Sequence, residues 1–514
     1  MQKGYPMSVF LARGGSAAAV LALTAQGALA DVSAQDVWSD WKAYMSGMGY
    51  TFAGTESQSG GTLTVSDIAM SFPMPEAEGS ASFAMPELRF VENGDGTVNI
   101  ELPAEFPMTI SGQEGSDKFS VEILYTHDGA PMVVSGDAAK MHYAYTTAKA
   151  TLSLSQIEAT GEDIPADALK ASIEFTGLTS KTDMTIAGQR SYDQNIQAAG
   201  LSYDLNFKEP GGNDSALFKG QMQNLAMTST STVPGDASNP ADFSGLVKAG
   251  LASKGNFTYG GGNGQIAVKD GNDSFDLQSS STGGTFGFGI GQEGISYDIN
   301  HQGVALNVAG SEIPFPLALN MAELGFKLAM PIMQSNEEQG FALGVTLRDF
   351  AVPEMLWGMV DPAGSLPHDP ATVVLDLTGK AKLLFDLLDP KSIEAVERGQ
   401  AQPGELNAVS INNFLVSAAG AKLTGTGDFT FDNTDLQTFD GMPAPDGVAN
   451  IELTGANGLI DKLIQMGLVS DSDAMGARMM MGMFGVPGEG EDTLTSEIKV
   501  SGDGQIHANG QRIK

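Results

Sequence analysis

The feature that most constrains this chain is a two-residue alternation of apolar and polar side chains. It runs from Tyr50 almost to the C-terminus and is punctuated by Asn-Gly and Asp-Gly turns. Period two is the spacing of a strand that buries one face. Leu63, Val65, Ile68, Met70 and Phe72 sit among Ser, Thr and Asp, with one phase slip at Ser66-Asp67. A one-residue slip sends the apolar set to the opposite face unless the backbone absorbs it, so the slip predicts a bulge. Segments 83–91 and 98–102 flank Asn93-Gly94-Asp95-Gly96, residues that supply the positive φ of a tight hairpin. Similar signals recur at His127-Asp128-Gly129, Gly211-Gly212-Asn213-Asp214, Asp270-Gly271-Asn272-Asp273 and Asp503-Gly504. Strands and turns at intervals of roughly 10 residues predict antiparallel meanders of about twenty or more strands.

The fold class that follows is mainly β: elongated or curled antiparallel meander sheets with a few covering helices. Phe315, Leu317, Leu319 and Met321 alternate in one phase, and Leu324, Phe326, Leu328, Met330 and Ile332 in the other. The opposite face is small or polar, as expected of sheets with one apolar face. A helix opens the chain after Asp31. Ser33 and Asp36 form a capping pattern, Val37, Trp41, Tyr44 and Met48 repeat at helical spacing, and Gly47 and Gly49 stop it. Its expected role is to plug one end of a core. A short helix with Phe243, Leu246, Val247 and Leu251 on its face is expected to start at Asn239-Pro240. Ser470 and Asp473 cap a third, in which Met475, Met479 and Met483 repeat every four residues. Methionine is adaptable filler, so this stripe is read as packing over a sheet. The covering helices are placed at 37–45, 459–466 and 475–484. Leu375-Asp-Leu-Thr-Gly379 and Ile451-Glu-Leu-Thr-Gly455, each followed by leucines or isoleucines, read as a repeated strand, glycine turn and apolar helix, and Ile173-Glu-Phe-Thr-Gly177 echoes the strand part.

Lys3 and Arg13 flank a short apolar stretch, Ala17 to Ala25 reads AAAVLALTA, and Ala28-Leu29-Ala30 completes the order of a secretory signal. The run is too short to span a bilayer. The expected organisation is a signal peptide over 1–30, an N-terminal helix plus antiparallel β domain over 31–235, and a β-rich domain over 236–514 with helices near 457–485. The boundary is placed in the Pro- and Gly-containing stretch from Ser231 to Pro240. Periplasmic residence is expected, with secretion as the alternative.

A formal charge of −35, from 62 acidic and 27 basic residues, repels phosphate backbones and anionic head groups, so no nucleic-acid partner is expected. Zero cysteine removes disulfides, thiolate metal sites and a cysteine nucleophile. The five histidines, His127, His142, His301, His368 and His507, share no metal-ligand spacing. Gly289-Ile-Gly291-Gln-Glu-Gly294 matches a dinucleotide fingerprint in letters, but a strand pattern follows it where a phosphate-binding helix is required. Asp270 to Asp276 and Asp432-Asn433-Thr434-Asp435 pose a calcium question. Neither fits the twelve-residue calcium loop, and turn chemistry accounts for both. The residues therefore name no catalytic group, no cofactor and no cofactor-binding residue.

One stretch of the C-terminal half is specific. Phe341-Ala-Leu-Gly-Val-Thr-Leu-Arg-Asp-Phe350 is followed by Leu356-Trp357-Gly-Met-Val-Asp361-Pro362 and Leu366-Pro-His368-Asp369-Pro370-Ala371. Then come Leu423-Thr-Gly-Thr-Gly-Asp428-Phe429 and Asn509-Gly510-Gln511-Arg512. Together with Asp36, Trp38 and Trp41, these resemble an uncharacterised alphaproteobacterial envelope family, domain-of-unknown-function family 2125, over nearly all of the chain from Asp31. The resemblance implies an exported envelope protein and carries no functional residues. The texture is also similar to the β-rich AsmA-like proteins, which implies lipid handling, although the membrane anchor typical of them is not expected here.

The expectation is a non-catalytic envelope binding or scaffold protein, in its sharp form one with an apolar β groove for acyl chains over 315–332. Its partner is a lipid or an envelope protein, and no stable membrane span remains once the signal is removed. The alternative is an envelope hydrolase working through acidic residues. A buried acid pair supports the enzyme, an open apolar trough supports lipid, and a closed core supports a scaffold.

Overall fold

The computed structural model describes residues 31–514 apart from 48, 75–78, 115–116, 162–163, 166, 236–241, 400, 401 and 403. The signal read over 1–30 lies outside the described residues. Twenty-six strands hydrogen-bond into one sheet. The sheet opens as a meander, Thr51–Ser59 pairing with Thr62–Met74 and that with Gly79–Glu92, and runs to Gln511–Arg512, with some positions filled by two shorter strands end to end, so that Ala252–Tyr259 pairs with Gly283–Gly291. Among the described residues the first and last strands pair on one side only, so hydrogen bonding does not close the sheet into a barrel.

The Asn93 to Gly96 hairpin forms as its residues dictate. Gly94 and Gly96 take φ of 75° and 85°, and the Asp95 carboxylate accepts from the Thr97 N–H. Gly291 and Gly294 close a hairpin between two strands, as the strand pattern after them required. The signal at His127-Asp128-Gly129 behaves differently. Asp117–His127 and Met132–Asp137 lie end to end, both against Lys140–Ala159, so these residues interrupt one long strand and do not reverse the chain. Ser215–Val233 is flanked in the same way by Ala252–Tyr259 and Gly262–Asp270. The sheet thus runs on past segment 236–241, which lies outside the described residues.

These interruptions share one register position and make a seam across the sheet. Asp67, Gly129, Gly177, Asn224, Gly303 and Asp349 all hold φ between 51° and 82°. Pairing skips Ala148 opposite Gly177, Asn224 opposite Ala199, Gly303 opposite Ala322 and Asp349 opposite that same Ala322. Left-handed backbone breaks the two-residue alternation, and Gly, Asn and Asp are the residues that adopt it most cheaply. On Gly294–Gly310 the apolar set changes from Ile295, Tyr297 and Ile299 to Val304, Leu306 and Val308. On Leu317–Met330 it changes between Met321 and Leu324. Both strands change together, so Ile299 still faces Phe326 and Val304 still faces Met321. The slip at Ser66-Asp67 is the same device. Leu63 and Val65 before it and Ile68 after it join one core, so the apolar side chains stay on one face.

Helix α1 (Ala34–Gly47) roofs this face at the N-terminal end. Its capping box closes reciprocally, Ser33 N–H to Asp36 and Asp36 N–H to the Ser33 hydroxyl. Trp38 is fully buried against Phe52 and Phe90, in a core with Val65, Val98, Val134 and Met141. Helix α2 (Phe243–Lys248) makes a smaller second roof. Val247 packs on Ile332 and Met333, with Ile290 and Ile295 beside them. Its N-cap is Asp242, which accepts from the Gly245 N–H; Asn239 and Pro240 lie outside the described residues.

Two sequence expectations need correction. Gly379 is not a turn: Ala371–Leu383 runs straight through it and pairs on both sides, so only Gly455, at φ 76°, ends a strand and opens a helix. The methionine stripe does not pack over a sheet. After α3 (Glu354–Val360), α4 (Pro390–Glu397) and α5 (Ala456–Gln465), helix α6 (Asp471–Phe484) turns Met475, Met479, Met480 and Met483 to solvent and buries only Ala474. The four-residue spacing marks a helical face but not which way that face points.

The seam makes a direct prediction. A Cβ on Gly303 would meet the Thr282 Oγ1 at 2.6 Å, on backbone at φ 55°. Gly303→Val is expected to destabilise the fold by about 2 kcal/mol or more, and Gly303→Asn by less, because Asn tolerates left-handed backbone. Urea unfolding of both variants checks the order; equal losses contradict it.

Candidate functional site

The register carries apolar side chains from strand to strand in transverse rows. Ile196 pairs with Met227, Met227 with Phe257, Phe257 with Phe286 and Phe286 with Ile299. The row continues through Phe326, Val345, Leu375 and Phe414. Eight steps of about 4.8 Å between its nine strands make this row roughly 38 Å long. A second row beside it joins Leu324, Leu347, Val373, Val416, Leu423, Leu453 and Leu494.

None of the nine side chains in the first row is buried. Phe326 is 40% exposed and Val345 38%. These two are exposed and the other seven half-buried, and a contiguous apolar band of this kind makes a candidate binding surface. Neighbouring aromatics extend the band, with Phe286 stacked on Phe288 at 6.0 Å and on Tyr297 at 6.4 Å. The face is covered by α1 and α2 near its margins and open between them. The groove expected over 315–332 is one strand of this face, although Met321 and Ile332 are buried.

Beneath α1 the face ends in a cavity of about 440 Å³, lined by Trp41, Tyr44, Met45, Met132, Tyr143 and Tyr192. Arg190 and Asp40 form an ion pair at 2.5 Å on its wall, both mostly buried. The Trp41 indole N–H donates to the Tyr143 hydroxyl at 3.2 Å. Burial pushes the Tyr143 phenol up to about 12.

Of the acidic groups singled out in the sequence, Asp432 and Asp435 are occupied by turn chemistry, while Asp273 and Asp276 are held by side chains from outside their own turn, which corrects the expectation for 270–276. Asp432 accepts from the Thr434 N–H and hydroxyl, and Asp435 from the N–H groups of Gln437 and Thr438. Asp276 accepts from Gln265 and Gln278, and Asp273 from the Ser311 hydroxyl. Among the described residues no cluster of three or more His, Asp or Glu has metal-binding geometry. The histidines stay apart. His127 meets the Pro103 carbonyl, His142 meets Asp183, and His301 meets Tyr259.

The Leu356 to Ala371 stretch builds one further constellation. Asp361 is buried and accepts from the backbone N–H groups of Leu366 at 2.6 Å and Ser365 at 2.9 Å, and these hold its carboxyl below the ordinary Asp range. His368 stacks flat on Trp357 at 4.4 Å, and its Nδ1 lies 3.0 Å from Glu354. A Cβ on Gly420 would meet the Pro367 ring at 3.0 Å, so the loop lies close over that turn. The motif ties a loop down at one rim of the sheet. Its spacing was visible in the sequence, but its role needed the Asp361 backbone contacts.

The geometry defines an antiparallel β-sheet protein with one open apolar face. Residues 262–508 match the family described as an uncharacterized protein conserved in bacteria (DUF2125), so the latter part of the chain carries that family's pattern. Asp36, Trp38, Trp41 and the closing 509–512 lie outside the matched residues. No curated protein and no solved structure matches the chain.

The cavity wall gives a pH prediction. A group whose folded pKa is raised adds stability below its unfolded value, near 10 for tyrosine, and that stability is lost as pH rises toward the folded value near 12. Tyr143→Phe leaves the Trp41 N–H without its partner and is expected to cost about 1–3 kcal/mol at pH 7. It also flattens the fall in stability between pH 10 and 12. Unfolding curves at pH 7 and pH 11 test this; an unchanged alkaline slope contradicts it.

Proposed function

We propose that this chain is an exported, non-catalytic envelope protein that holds lipid acyl chains on its open apolar sheet face. The observation that carries the reading is the nine-strand apolar row, half-buried or exposed throughout its length. Burying apolar surface releases roughly 25 cal/mol per Å². A flexible hydrocarbon follows a long corrugated face of this kind without needing polar partners. Export to the periplasm rests on the pattern of the first thirty residues.

The hydrolase alternative has less support. Every carboxylate among the described residues whose pKa is displaced is held lower, by hydrogen bonds in Asp95, Asp432 and Asp435 and by Arg348 in Glu323. A general acid working near neutrality needs the opposite displacement.

Native purification from the periplasm, solvent extraction and lipid mass spectrometry against a mock preparation test the proposal. Stoichiometric acyl species are expected, on a protein whose intact mass places its N-terminus at Asp31. Phe326→Glu with Val345→Glu is expected to lower the yield of bound lipid at least tenfold. Lys327→Glu, on the opposite face of the same strand, leaves it unchanged. A lipid-free extract at good protein recovery, or equal loading of all three proteins, overturns the proposal.

A further inference from the structure

Eight large apolar side chains among the described residues are more than half exposed, and six of them are methionine. The others are Val360 and Leu468. Methionine serves both adaptable apolar docking and thioether ligation, and exchange for leucine, which keeps the apolarity and removes the sulfur, separates the two. Four of the six lie on one helix: Met475, Met479, Met480 and Met483 of α6 are 55–68% exposed.

The attachment of α6 fixes which way these thioethers point. Its inner face is Ala474, which is buried, and Arg478, which donates to Asp461 and Asn457 of α5. Its C-terminal end is tied by the Phe484 carbonyl, which accepts from the Ser496 hydroxyl and the Asn509 amide. The outer face is thereby held toward solvent. Met483 is the i+4 neighbour of Met479 and the i+3 neighbour of Met480, so it lies beside each of them on that face. A Cβ on Gly476 or Gly482 would meet nothing within 4 Å, so the flexible arms have clearance.

We propose that Met479, Met480 and Met483 form a three-thioether site for a soft monovalent d¹⁰ cation, Cu(I) or its analogue Ag(I), with Met475 as the adjoining fourth sulfur. Thioethers are neutral, polarisable donors that select such ions over the hard divalent cations that carboxylates hold. In a chain without cysteine they are the only sulfur ligands. Binding leaves the oxidation state of the ion and the protonation of the protein unchanged. The site is independent of the apolar sheet face.

The test is calorimetric titration of the full mature chain with Ag(I) in chloride-free buffer, and with Cu(I) by chelator competition under argon. The comparison protein carries Met479→Leu, Met480→Leu and Met483→Leu. Leucine keeps the helix and its hydrophobicity and removes only the sulfur. The intact chain is expected to bind one ion, with an affinity at least tenfold above that of the leucine protein and with unchanged circular dichroism. In ¹³C-methyl-methionine spectra of the intact chain, Ag(I) is expected to shift only the resonances of Met475 to Met483. The spectra decide the matter even if the leucine protein folds poorly. No binding, equal affinity in the folded leucine protein, or shifts centred on Met355 and Met359 overturns the assignment. Lipid-vesicle binding retained by the leucine protein, without metal binding by the intact chain, assigns the face to hydrophobic docking instead.

Discussion

The left-handed backbone that recurs at one register position is the constraint on which the rest of this sheet depends. Strands of up to twenty residues are too long to stay flat, because each one twists. A residue at positive φ in roughly every second strand lets the chain change direction there. Because the alternation changes phase in neighbouring strands together, Ile299 still opposes Phe326 on one side of the seam and Val304 opposes Met321 on the other. Without the seam, half of each strand would turn its apolar set to the polar face. The lateral register carries the row from Ile196 to Phe414 on one side of the seam, and the phase change keeps the apolar set beyond the seam on the same face.

Much of this was legible in the sequence, because its cause is local. Period-two alternation, the Asn93 to Gly96 turn and the Ser33–Asp36 capping box are short-range features, and each forms as read. The slip at Ser66-Asp67 was readable as a bulge because the apolar set could not otherwise share one face. What stayed hidden depends on neighbours distant in sequence. Gly379 resembles Gly455 in its local letters, yet only Gly455 ends its strand, because Gly379 is paired on both sides. Likewise, nothing in the spacing of Met475, Met479 and Met483 says whether the helix lies with that face down. The contacts of Ala474 and Arg478 decide it. The candidate site was legible as an alternation over 315–332, but its width came only from the register of eight further strands.

The covering helices set how the sheet is stabilised. The buried core is concentrated under α1, where Trp38, Phe90 and Val65 are shielded from water. Beyond that cluster most apolar side chains on the face are only half covered. Stability therefore rests on backbone pairing along the whole sheet, on the compact core at its beginning and on the smaller cluster under α2, and the remaining apolar surface stays only half covered. The strongly acidic balance makes like-charged copies repel one another, which opposes self-association through that surface.

Because the chain contains no cysteine, a single introduced thiol reports its own environment. The most direct measurement places an environment-sensitive fluorophore at Val345→Cys and, in a second protein, at Lys327→Cys, and titrates each with a long-chain fatty acid. Val345 lies on the apolar row opposite Phe326, while Lys327 is the next residue of that partner strand and points to the other face. A saturable blue shift at position 345 with none at position 327 is the predicted result. No response at either position, or the same response at both, contradicts the account of one open acyl-binding face.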